Sequence, residues 1–141
     1  MQVLCRYICF MDYLFVYGTL LSAYGHSMHE VIAQNGQLLS TGFYQGKLYR
    51  VSYYPGVVPS SDAYHKVKGE VYQIHNTEPL LDALDDYEGY YPHHEPTSDY
   101  LRRKVSITLT DGTLIEAWTY LYNLPVDSLE WITSGDFLAE E

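Results

Sequence analysis

A chain of 141 residues with 47% hydrophobic and 18% charged residues has the apolar material for one cored domain and too little charge for a disordered one. The net charge of −10, from 18 acidic and 8 basic residues, sets the chain against nucleic acid and anionic membrane surfaces and favours small-molecule work. Two cysteines, Cys5 and Cys9, exclude a disulfide framework and fit a cytoplasmic, reducing setting.

The opening segment MQVLCRYICF is too short an apolar run, broken by Arg6, for a transmembrane helix. It also lacks the basic start, apolar centre and small-residue cleavage site of a signal peptide. Residues 1–10 read as an N-terminal extension ahead of a natural start at Met11, and residues 11–141 as one domain. The other reading adds residues 2–10 to the first strand.

Asp12 to Tyr17 is a near-continuous apolar run, expected as a strand buried on both faces. Ser27 to Gln34 is weakly helical and stops at Asn35-Gly36. Gln37 to Ser52 carries strand residues, with Gly42 and Gly46 as expected bulges or bends. Tyr54-Pro55-Gly56 reads as a turn. Lys66 to Ile74 alternates, with Val67, Gly69 and Val71 on one side, as a half-buried strand does. Thr77 to Tyr87 is the clearest helix: Asn76 or Thr77 can cap it, Pro79 suits its first turn, and Gly89 ends it. Leu101 to Leu109 and Leu114 to Tyr122 flank Asp111-Gly112, a hairpin signal. The tail holds Trp131 and a turn at Ser134-Gly135-Asp136. Strands dominate two short helices, so the expected fold is α+β with a curved, largely antiparallel sheet, closed as a barrel.

Within LLDALDDYEG, the spacing i, i+3, i+4 puts Asp82, Asp85 and Asp86 on one solvated face. Glu88 falls seven residues after Leu81 and four after Leu84, so it points with the leucines. A carboxylate in an apolar wall has its pKa raised, which suits a general acid–base group at neutral pH. Pairing with Arg102 or Arg103, or capping of the helix end, is the bland alternative. Strand one ends in Gly18-Thr19, where a turned backbone can offer N–H groups to an oxygen. Of the 16 tyrosines, Tyr17, Tyr54, Tyr100 and Tyr122 are placed to line a pocket, because a phenol can pack on an aliphatic chain and still donate. The six histidines give no three- or four-ligand spacing, so no metal is expected.

Several of these pieces occur together in a known family. LFVYGTL (14–20), GKLY (46–49), YPG (54–56), VKGEVYQI (67–74), LDALDDYEGYY (81–91), Tyr100 with Arg102 and Arg103, and SGDF (134–137) run in the order of the gamma-glutamylcyclotransferase-like family. The chain most resembles its small branch that includes the gamma-glutamylamine cyclotransferases. That resemblance implies a small mixed, largely antiparallel β-barrel flanked by short helices, with a pocket at its mouth. It implies a substrate loop of Tyr17, Gly18, Thr19 and Leu20, and Glu88 as the catalytic acid–base. It also implies the reaction: the α-amine of a gamma-glutamyl peptide or amine attacks its own γ-carbonyl, giving 5-oxoproline and the free amine, with no cofactor. The chain departs from relatives after YGTL. His29 matches a histidine they carry, but Ser27-Met28 replaces its polar neighbour, which bears on substrate preference more than on fold. A second reading keeps the fold and pocket as a non-catalytic small-molecule binding module. A third has the acidic face dock a basic partner.

Overall fold

The computed structural model describes residues 11–139, so the expected N-terminal extension at residues 1–10 lies outside the described residues. Five strands close into a ring. These are β1 (Asp12–Val16), β2 (Gly36–Arg50), β4 (Lys66–Ile74), β5 (Tyr100–Leu109) and β6 (Leu114–Tyr122). β1 lies between β4 and β6, β5 follows β6, and Gly42 and Phe43 of β2 pair with Leu109 and Thr108 of β5 to shut the barrel. All these pairings are antiparallel except β1 with β6, where Leu14 faces Trp118. The mixed, largely antiparallel barrel is therefore as expected. Two short strands extend the far half of β2: β3 (Pro55–Pro59) on one edge and β7 (Glu130–Ile132) on the other.

Period-two alternation explains how thin strands serve two cores. Phe15, Tyr44, Val67, Val71, Ile107 and Ala117, drawn from all five barrel strands, pack together as the barrel interior. Leu14, Val16, Tyr72 and Ile74 turn the other way. They pack with Ile32 of α1 (Met28–Gln34) and with Leu80 and Leu84 of α2 (Thr77–Glu88). β1 is buried on both faces, which is why its sequence is almost unbroken apolar.

Some details differ from the sequence reading. Tyr54-Pro55-Gly56 is not a turn: the chain turns one step earlier, where Val51 and Ser52 donate to the Tyr54 carbonyl, and Pro55 opens β3. β3 ends one edge of the sheet path, so its terminal prolines forfeit little of the ladder. The irregularity in β2 falls between Leu38 and Ser40, not at Gly42 or Gly46, which keep regular register. Neither Asn76 nor Thr77 caps α2 with its side chain: Asn76 donates to Asn35 and Thr77 to Asp12. The other end of α2 behaves as the sequence demands. Gly89 takes φ +69, and Tyr90 N–H returns to the Asp85 carbonyl at 2.9 Å. The Asp111-Gly112 turn joins β5 to β6, with Gly112 at φ +90. Among the described residues, no helix is long and apolar enough to cross a membrane.

Candidate active site

A cavity of about 260 Å³ opens where the end of β1 meets the end of α2. Its wall includes Tyr17, Gly18, Thr19 and Leu20 from the segment after β1, Tyr54, Glu88 and Tyr100. Seven of the eight residues singled out in the sequence thus stand around one space. Tyr122, the eighth, stands just behind them. It sits beside Tyr100 across the β5–β6 ladder, with ring centroids 5.4 Å apart, and does not line the cavity. The sequence also missed Tyr53, Asp86, Tyr87, Asp99, Thr119 and Tyr120, all of which do. Tyr87 and Tyr120 carried a readable signal, one adjoining Glu88 and the other alternating with Tyr122 on β6. Asp99 carried none.

The three aspartates of the helix do not share one solvated face. Asp85 is not solvated: it is 8% exposed. It lies four residues after Leu81, so the same phase that turns Glu88 inward turns Asp85 inward too. Its carboxylate receives Nε of Arg102 at 2.8 Å, a second Arg102 nitrogen at 3.3 Å, and the Tyr120 hydroxyl at 2.7 Å. Arg103 pairs with Glu95 at 2.8 Å. Both arginines that offered themselves to Glu88 are therefore engaged elsewhere. The Arg102–Asp85–Tyr120 contact also ties α2 to β5 and β6, and so fixes where the next turn of the helix, with Glu88, must lie.

Glu88 itself has no hydrogen bond or ion pair to its carboxyl among the described residues. It is half-buried, and desolvation pushes its pKa up to about 8. Four phenols surround it. Tyr17, Tyr87, Tyr100 and Tyr120 are all held protonated, by burial above all, with the charge of Glu88 adding to the effect. These rings act as walls, and two spend their hydroxyls on backbone: Tyr17 donates to the Tyr120 carbonyl at 2.7 Å and Tyr100 to the Pro55 carbonyl at 2.6 Å. Among the described residues no lysine, arginine or histidine lines the cavity.

The same cavity is lined by a row of residues with free backbone donors. Gly18, Thr19 and Leu20 are buried, and none of their N–H groups donates to a protein acceptor among the described residues. Buried N–H groups are nearly always paired, so three in succession beside a cavity ask for an oxygen from outside the chain. Gly18 is needed here for closeness, since a Cβ would stand 2.6 Å from the Pro55 ring. Its φ is not positive, and the backbone turns here through the Leu21 N–H, which donates to the Gly18 carbonyl at 3.0 Å. The segment is braced behind: His29 Nδ1 donates to the Leu20 carbonyl at 3.1 Å, and the N–H and hydroxyl of Ser22 both reach Glu70. Among the described residues, no group of three or more His, Cys, Asp or Glu stands close enough to hold a metal ion.

A carboxyl that titrates near neutrality can take a proton and return it. A fixed row of N–H groups can hold a carboxylate or a developing oxyanion. Comparison with known proteins gives this pairing a context. A family model described as gamma-glutamyl cyclotransferase, AIG2-like, matches residues 14–139. The gamma-glutamylcyclotransferase family protein YtfP of Escherichia coli strain K12 is 38% identical over 126 residues, which cover 89% of this chain and 95% of that one. The solution structure of ytfP from Escherichia coli superposes with a TM-score of 0.61 at 34% identity, covering 89% of this chain and 96% of that chain. The crystal structure of an AIG2-like protein from Mus musculus gives 0.68 at 21% identity, with 93% and 90% covered, which bears on the fold alone.

Proposed function

This chain belongs to the gamma-glutamyl cyclotransferase family, AIG2-like, and from that premise we propose that it cyclises a gamma-glutamyl peptide or amine to 5-oxoproline, with Glu88 as the general acid–base. The observation that carries the reading is that one unpartnered carboxyl and one row of residues with unpartnered backbone N–H groups line the same small cavity. No protein nucleophile is required, because the substrate carries its own.

In the proposed cycle the γ-glutamyl group folds so that its α-nitrogen stands over its γ-carbonyl carbon. Holding reacting atoms in that geometry accounts for a large share of the rate in intramolecular reactions. Glu88, as carboxylate, takes a proton from the α-ammonium. The free amine then attacks the γ-carbon, forming the new C–N bond of the five-membered ring. Negative charge gathers on the γ-oxygen, where the N–H groups of Gly18, Thr19 and Leu20 can receive it. Glu88 returns its proton to the departing nitrogen as the old C–N bond breaks. The ring nitrogen, left with one proton too many after attack, gives it up through the same carboxylate to the released amine, which departs as an ammonium ion. Protons and bonds balance, and no water is consumed. The aromatic rings of Tyr17, Tyr54 and Tyr100 flank the aliphatic part of the substrate.

The test is direct. Purified protein is incubated with gamma-glutamyl dipeptides, glutathione and gamma-glutamyl-ε-lysine, and 5-oxoproline is measured by mass spectrometry beside Glu88→Gln. Product from the parent alone supports the reading. Tight binding of an unchanged ligand, with no product from folded protein, replaces it with a binding module on the same pocket.

A further inference from the structure

Thr19 lies within the row of donors, and its hydroxyl meets that of Tyr87 at 3.1 Å. Tyr87 in turn meets Nε2 of His26 at 3.3 Å. Neither contact has a direction by itself, since a hydroxyl both donates and accepts. The direction comes from the other side of the imidazole. Nδ1 of His26 accepts the backbone N–H of Met28 at 2.9 Å. A nitrogen that accepts carries no proton, so neutral His26 carries its proton on Nε2. Nε2–H then donates to the Tyr87 oxygen, which frees the Tyr87 hydrogen to point at Thr19. Thr19 is left with its own hydrogen to give, and both Thr19 and Tyr87 line the cavity. The His26 ring packs edge-on to Tyr87, centroids 5.1 Å apart, which keeps the imidazole in place.

We propose that His26 and Tyr87 are positioning residues that fix the Thr19 hydroxyl as a hydrogen-bond donor to the substrate oxygen held by the Gly18–Leu20 backbone. The inference rests on the functional reading above and adds a side-chain donor to the three backbone ones. Backbone N–H groups cannot turn away, but a hydroxyl can, and an unset Thr19 spends part of its time offering a lone pair to a developing negative charge. A chain of donors pointing one way removes that option, and each bond polarises the next. The gain is largest when charge has gathered on the oxygen, so the loss on breaking the chain falls on kcat more than on KM.

Two substitutions at His26 separate the relay from a merely structural role. His26→Asn keeps an oxygen near Nδ1 for the Met28 N–H but cannot reach Tyr87. His26→Gln gives up that cap but places an amide N–H near Nε2. Tyr87→Phe and His26→Asn are each expected to lower kcat about tenfold, less than removal of a direct oxyanion donor, with KM within about twofold. His26→Gln is expected to recover kcat to within about threefold of the parent. Equal losses in Asn and Gln variants that still melt cooperatively, or losses confined to KM, would reduce His26 to a loop cap and overturn the proposal. Nitrogen-15 NMR of the imidazole gives a readout without turnover: an Nε2–H tautomer is expected, and an Nδ1–H tautomer overturns the relay. If no gamma-glutamyl compound is turned over, the functional reading fails by itself, and the nitrogen spectrum still decides the relay.

Discussion

The Asp85 turn and the Glu88 turn of α2 are neighbours on one helix and treat a carboxyl in opposite ways. Asp85 is buried and saturated, with two nitrogens of Arg102 and the Tyr120 hydroxyl around it. Glu88, three residues on, faces a cavity with phenols near it and no partner of its own. A carboxylate enclosed by its partners holds elements together and has little freedom to exchange protons. One that is desolvated without partners is poised to do so. The helix therefore anchors itself with one acid and presents the other, and the first determines the position of the second.

That contrast can be broken most sharply at Glu88. Glu88→Gln is expected to lower turnover by about 10³-fold, within the range for removing a general acid–base group, while circular dichroism stays that of the parent. Loss of fold in this variant would assign Glu88 the role here given to Asp85.

The reverse result is expected at Asp85. Asp85→Ala leaves the Arg102 guanidinium and the Tyr120 hydroxyl without their partner, at a cost of about 3 kcal/mol in urea unfolding. Residual activity should fall as well, because α2 loses its tie to the barrel.

Between these lies the pH dependence of stability. The folded-state pKa of Glu88 is raised to about 8 from an ordinary carboxyl value of 4.5, so the folded protein binds the extra proton between those limits. Its contribution to stability is complete below pH 4.5 and is lost as pH rises through 8. Glu88→Gln, which cannot ionise, should therefore be more stable than the parent at pH 9, by on the order of 2 kcal/mol once solvent access at the cavity mouth is allowed for. In the same window kcat/KM of the parent should climb with pH and level above about 8, as free enzyme gains its base. A melting temperature and a pH–rate profile check the two halves.

The smallest effect concerns the two tyrosines that face each other on β5 and β6. Tyr100→Phe strands the Pro55 carbonyl and should cost about 1–2 kcal/mol, with a measurable change in KM. Tyr122→Phe should stay within about 0.5 kcal/mol and twofold in activity, because its hydroxyl neither lines the cavity nor has a hydrogen-bond partner among the described residues.

Periodicity explains which of these features could be read in advance. The five barrel strands, α2, its Gly89 stop and the Asp111-Gly112 hairpin were all visible, because each is written in neighbouring residues. Glu88 was visible for the same reason, as a charged residue in phase with leucines. Asp85 was misplaced because its spacing satisfies two faces at once: i+3 from Asp82 and i+4 from Leu81. What decides between them is Arg102 on β5, and a partner on another strand leaves no local trace. β3 and β7 were missed because short edge strands are made by what they pair with. For Tyr122, alternation says which face of β6 it occupies, and not how far along that face the cavity reaches. The relay through His26 depends on which imidazole nitrogen is occupied, which no spacing encodes.

The parallel seam between β1 and β6 has a consequence for how the molecule comes into being. Tyr17 bonds to the Tyr120 carbonyl across 103 residues of chain, and Thr119 returns to the Phe15 carbonyl across 104. A strand made near the start must wait for one made near the end, and such distant pairings form slowly because a long loop has to close first. The donor row after β1 is thus among the first parts of the cavity to be synthesised and among the last to acquire its walls. On a ribosome the chain would carry β1 with one edge unpaired through most of its synthesis. Truncation before β6 should leave that strand open to other chains, whereas the finished ring offers no barrel edge to them.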